Sequence, residues 1–148
     1  MKNNNSLNFK KFVKFVKPKD MGKREWGTEK LLVLIPKILS MKMLTMKKGS
    51  KGGLQYHHKK NECGYILKGK MCFRYVDKNG KLKKKILKTG DSFHIPPGAV
   101  HQEEALTVCE IIEASTPHFN DRVRVENFFG LEIEKGLKST KKNEVILK

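Results

Sequence analysis

Two stretches of the chain concentrate the side chains able to do chemistry: Gln55-Tyr56-His57-His58-Lys59-Lys60-Asn61-Glu62, and Gly90-Asp91-Ser92-Phe93-His94-Ile95-Pro96-Pro97-Gly98-Ala99-Val100-His101. Imidazole nitrogens together with a carboxylate suit a divalent transition ion such as Zn, Fe, Mn, Ni or Cu, and a site with only three or four protein ligands leaves positions open for a substrate oxygen. Side chains alternate faces along a strand, so the adjacent His57 and His58 cannot both point inward from a regular one. Either a bulge turns one of them or only one serves. Pro96, Pro97 and Gly98 make a rigid turn between two strands, which aims His101 back towards the first stretch.

The elements that must hold these groups are strands. From Trp26 to Gly130 the chain carries β-branched and aromatic groups cut by Gly, Pro, Asn and Asp at close intervals, the pattern of an all-β sandwich or barrel. Strands are predicted near Leu31–Ile35, Ile38–Met46, Leu54–His58, Gly64–Leu67, Lys70–Val76, Leu82–Leu87, Ser92–Ile95, Val100–Ala105 and Val108–Ser115. Asp77-Lys78-Asn79-Gly80-Lys81 contains Asn-Gly, whose tolerance of positive φ suits a hairpin turn.

Together the two chemical stretches resemble the paired motifs of the cupins, single-domain double-stranded β-helices also described as jelly-roll barrels. His57 and His58 precede Glu62, and Gly69 follows it at the spacing of the first motif; Gly90, Pro96, Gly98 and His101 match the second. The asparagine usual after the second motif is replaced by Ala105. The resemblance implies one divalent transition metal on ligands drawn from His57, His58, Glu62 and His101, with the spacing to Glu62 favouring His58 of the adjacent pair. Gln55 or Tyr56 then stands where a further histidine is common.

Lys23-Arg24-Glu25-Trp26-Gly27-Thr28-Glu29, Glu113-Ala114-Ser115-Thr116-Pro117-His118, and the following Asp121, Arg122, Arg124 and Gly130 resemble the small mannose-6-phosphate isomerase-like cupins over residues 23–130. That likeness implies an aldose–ketose isomerase acting on a sugar phosphate or a nucleotide sugar. The metal would polarise the substrate carbonyl and its neighbouring hydroxyl, and Glu62 or His58 would carry a proton between C1 and C2. Gln55, Tyr56, Lys59, Lys60, Arg74 and His94 are the candidate substrate contacts, with Lys59 in the place of a frequent third histidine. Two alternatives share the fold: a sugar-binding or sensing protein without catalysis, and a metal-independent sugar-nucleotide epimerase using His58 with Tyr56 or Tyr65.

The 148 residues suffice for one domain. Residues 1–22 read as an arm whose Phe9, Phe12, Val13, Phe15 and Val16 suit a partner subunit, so a homodimer is expected; residues 131–148 read as a tail or peripheral helix. The net charge of +17 rests on 28 Lys and four Arg scattered over tails, turns and strand exteriors, without a nucleic-acid motif. Such a field would instead attract a phosphorylated substrate. No apolar run is long enough to span a bilayer and the N-terminus opens on Asn and Lys, so a cytoplasmic protein without membrane or nucleic-acid partners is expected. Cys63, Cys72 and Cys109 suggest reduced core residues rather than a disulfide framework.

Overall fold

A computed structural model describes residues 12–133 and 135–148. Phe9 of the arm lies outside the described residues. Eleven strands run in chain order: β1 (Lys19–Arg24), β2 (Gly27–Ile35), β3 (Leu39–Met46), β4 (Gln55–Tyr56), β5 (Glu62–Lys68), β6 (Lys70–Val76), β7 (Leu82–Lys88), β8 (Ser92–Ile95), β9 (His101–Ala105), β10 (Cys109–Ser115) and β11 (Val123–Arg124). They form a six-stranded sheet, β1-β2-β3-β10-β5-β8, and a five-stranded sheet, β11-β4-β9-β6-β7, with antiparallel pairing throughout. The fold is the all-β jelly roll that the strand pattern anticipates.

Alternation decides what faces inward. Along β5, Glu62, Gly64 and Ile66 are buried while Cys63, Tyr65 and Leu67 face out. Cys63 is therefore exposed rather than a core residue; Cys72 and Cys109 are buried, and all three are free thiols. Gly64 is needed where it stands, because a Cβ there would lie 2.2 Å from the Phe93 ring, which fills the interior from β8. Gly69 joins β5 to β6 at φ +97°, a left-handed conformation in which a Cβ would also meet the Val108 carbonyl at 2.3 Å.

The apolar core draws Ile66, Ile95, Cys109 and Ile111 from one sheet and Met71, Phe73, Leu87 and Ala105 from the other. The remaining interior is polar: His57, Lys60, Glu62 and His101 are all buried.

Two short strands fall outside the predicted set. β1 lies within the predicted arm, and its sequence Lys-Asp-Met-Gly-Lys-Arg has no apolar alternation; its register comes from the hairpin with β2. The two-residue β11 is positioned by pairing with β4. The C-terminal stretch contains one 3-10 turn, Lys142–Glu144, and returns against the 117–124 loop: Thr140 N–H donates to the Arg122 carbonyl (2.8 Å) and Lys148 N–H to the Pro117 carbonyl (3.0 Å). Among the described residues no helix is long and apolar enough to cross a membrane.

Candidate metal centre

The adjacent histidines lie just beyond β4, in the turn whose backbone Asp121 holds, and they face opposite ways there. Gln55 and His57 face the interior, whereas His58 turns outward, its Nε2 donating to the Thr140 carbonyl at 2.9 Å. Spacing favoured His58 as a ligand; the structure instead brings His57, Glu62 and His101 together, with their candidate ligand atoms within 4.8 Å of one another. β9 supplies His101, β5 supplies Glu62, and the end of β4 supplies His57.

Both imidazoles are oriented by backbone carbonyls. His57 Nδ1 bonds the Asp121 carbonyl, and His101 Nδ1 bonds the Ala99 carbonyl at 3.0 Å. A carbonyl only accepts, so each Nδ1 carries a proton, and in the neutral form of each ring the Nε2 lone pair is the one left to face the site. Those Nε2 atoms lie 3.3 Å (His57) and 3.5 Å (His101) from the same oxygen, Glu62 Oε1. Three acceptors facing one another in a buried site are mutually unfavourable until a cation stands among them, and carbonyl-anchored imidazoles are the usual support of metal ligands. The donor set therefore fits a divalent transition metal.

A second layer holds these three in place. Buried Lys60 pairs with Glu62 Oε2 and, at 2.8 Å, with Glu113 Oε1. Burial would push the Lys60 ammonium down, but the Glu113 and Glu62 carboxylates raise its pKa and keep it charged. Burial likewise pushes Glu62 up, and the Lys60 ammonium beside it holds it well below the usual carboxylate range. The Asp121 carboxylate accepts the backbone N–H groups of His58 (2.8 Å), Lys59 (2.6 Å) and Lys60 (2.7 Å), which fixes the turn after His57.

The other predicted contacts divide. Gln55 and Lys60 line the cavity, of about 240 Å3, that opens onto the cluster. Tyr56 packs edge-on against the outward His58. Lys59 is exposed, and Arg74 is bound on the sheet exterior to Glu104 (2.5 Å) and Gln102 (3.2 Å). His94 lies on the solvent side of β8 and bonds Asn61 Oδ1 at 2.8 Å, because its inward neighbours are Phe93 and Ile95. None of these four lines the cavity.

Other lining residues escaped sequence reasoning. Glu103 stands two residues beyond His101 on β9, so alternation alone places both on one face. Burial, aided by the Glu62 and Glu113 charges and opposed by His101, pushes its carboxyl up. Elsewhere in the lining, Glu29 is flanked by Arg24 (3.0 Å) and Lys42 (2.6 Å), and Arg122 belongs to the loop before β11.

Residues 42–118 match the family described as the cupin domain, which is half of the chain, and the protein belongs to that family. No curated protein sequence matches it. Among solved structures it is similar to the capsular polysaccharide assembling protein CapF from Staphylococcus aureus, with 20% identity and a TM-score of 0.56 over 66% of this chain and 28% of that one. It is also similar to KdgF from Halomonas sp., with 21% identity and a TM-score of 0.55 over 66% of this chain and 84% of that one. At these identities the likeness is one of fold, and the chain spans little more than a quarter of CapF.

Proposed function

We propose that this cupin is a metal-dependent isomerase that interconverts the aldose and ketose forms of a phosphorylated sugar or nucleotide sugar. The observation that carries the reading is the convergence of two carbonyl-anchored imidazole lone pairs and a carboxylate oxygen in a cavity. A metal bound by His57, Glu62 and His101 would supply Lewis acidity to a carbonyl and the adjacent hydroxyl. The role of CapF in assembling a capsular polysaccharide agrees with a carbohydrate substrate.

The chain's own groups would do the rest. Gln55, on the same face as His57, is placed to hydrogen-bond a sugar hydroxyl. Glu62 faces the histidine pair with one oxygen and Lys60 with the other, whereas Glu103 lines the same cavity and its carboxyl bonds its own backbone. Glu103 is therefore the better-placed carboxyl to move a proton between neighbouring carbons, ahead of Glu62 or His58. Epimerase chemistry by His58 with Tyr56 or Tyr65 finds no support in position, since His58 bonds Thr140 and Tyr65 is 42% exposed.

The test is an NMR assay of metal-loaded protein against aldose and ketose phosphates and nucleotide sugars. Conversion that stops on chelation and returns with metal is expected. A panel left unchanged by fully loaded protein would overturn the isomerase reading.

A further inference from the structure

The charges lining the cavity fall into two groups. Beside the histidines, the carboxylates Glu62 and Glu113 share the single ammonium of Lys60, and Glu103 adds a further carboxyl, so this end attracts cations. Elsewhere in the lining cations gather. Arg24 and Lys42 share one carboxylate, Glu29, and Arg122 lies nearby. Among the described residues no carboxylate lies within ion-pair distance of Arg122, whose Nη2 donates to the Phe119 carbonyl at 3.2 Å. Asp121 next to it is already engaged by three backbone N–H groups.

Holding a half-buried guanidinium beside another cation costs free energy, and burial together with Arg24 pulls the Arg122 pKa down. Nothing in the packing requires that arrangement: Lys42 already reaches over the Phe119 ring, 4.6 Å from its centroid, and Arg122 adds only the carbonyl bond to the same residue. An anion between Arg122 and Arg24 would relieve it. A guanidinium offers paired N–H donors in a plane, the geometry that matches phosphate oxygens.

We propose that Arg122, backed by Arg24, is the phosphate-binding subsite of this cavity, in place of Lys59, Lys60 and Arg74. The assignment of that phosphate to a substrate rests on the function proposed above; the anion site itself does not. A substrate held there by its phosphate would point its far end at the cation-seeking cluster of His57, Glu62 and His101.

Calorimetric titration of the full chain with inorganic phosphate tests this, with sodium acetate in parallel to separate a phosphate site from a carboxylate site. Wild type should bind phosphate more tightly than acetate. Arg122→Gln should weaken phosphate binding at least tenfold, Arg122→Lys should recover part of the loss, and the exposed control Lys85→Gln should leave it unchanged. Unfolding curves and metal content accompany each variant, and both should match wild type for Arg122→Gln. Phosphate binding equal in wild type and Arg122→Gln, no phosphate binding by wild type, or acetate binding as tight as phosphate would each overturn the proposal. If phosphate binds through Arg122 but no sugar phosphate is converted, the subsite stands and the isomerase reading falls. If conversion proceeds without phosphate binding at Arg122, the reverse holds.

Discussion

Asp121 serves the centre with two kinds of oxygen. Its carboxylate gathers three consecutive backbone N–H groups of residues 58–60, and its main-chain carbonyl takes the His57 Nδ1 proton. Asp121→Asn replaces one acceptor oxygen with an NH2 facing donors, so it should cost about 1–3 kcal/mol in urea unfolding and weaken metal binding roughly 10–100-fold in competition titrations. Glu29 offers a pH test away from the metal. Burial raises its carboxyl, but Lys42 and Arg24 outweigh that and hold it below its ordinary value. Its folded-state pKa is thus depressed, so its stabilisation is complete above the unfolded value of about 4.3 and is lost as pH falls through the folded value. Glu29→Gln strands the buried Lys42 and should cost about 3 kcal/mol at pH 7, and the gap to wild type in urea unfolding should narrow on acidification. At this scale the sequence identified Glu62 and His101 as cluster members but preferred His58 to His57. Which of two adjacent histidines faces inward depends on the turn after β4, held by long-range bonds to Asp121 and Thr140 that local spacing does not encode.

Strand phase also explains which contacts were legible. Once His101 is inward, Glu103 must be; once Phe93 and Ile95 are inward, His94 cannot be. The strands rich in β-branched and aromatic residues were readable from pattern, and the turn residues bounded them. β1 and β11 were not, because each is short and polar and takes its conformation from a neighbouring strand. The close approach of Phe93 to Gly64 is equally invisible in sequence, since it joins neighbouring strands through the pairing of β5 with β8. Gly64→Ala should therefore cost about 1–3 kcal/mol by overpacking, read as a lower midpoint in urea with an unchanged slope.

On the scale of the whole molecule, an apolar core between the two sheets stabilises the jelly roll, and polar groups and ion pairs join apolar side chains in lining the cavity. The net charge of +17 is spread over the exterior, but the cations that matter for the proposed chemistry are the few that line the cavity. The C-terminal stretch belongs to this architecture, because Thr140 meets both His58 and Arg122 and Lys135, Gly136 and Leu137 line the cavity. Deleting residues 131–148 should leave the sheets folded, speed amide exchange in the 117–124 loop, and weaken metal binding through loss of support for Asp121. The account stands most directly on metal content, measured by ICP-MS on untagged wild type beside His57→Ala, His58→Ala and His101→Ala. It predicts about one transition-metal ion per chain in wild type and in His58→Ala, and loss of that ion in His57→Ala and His101→Ala. Metal retained in His57→Ala but lost in His58→Ala, or a wild type that takes up none when supplied with Zn, Mn, Fe or Ni, would contradict it.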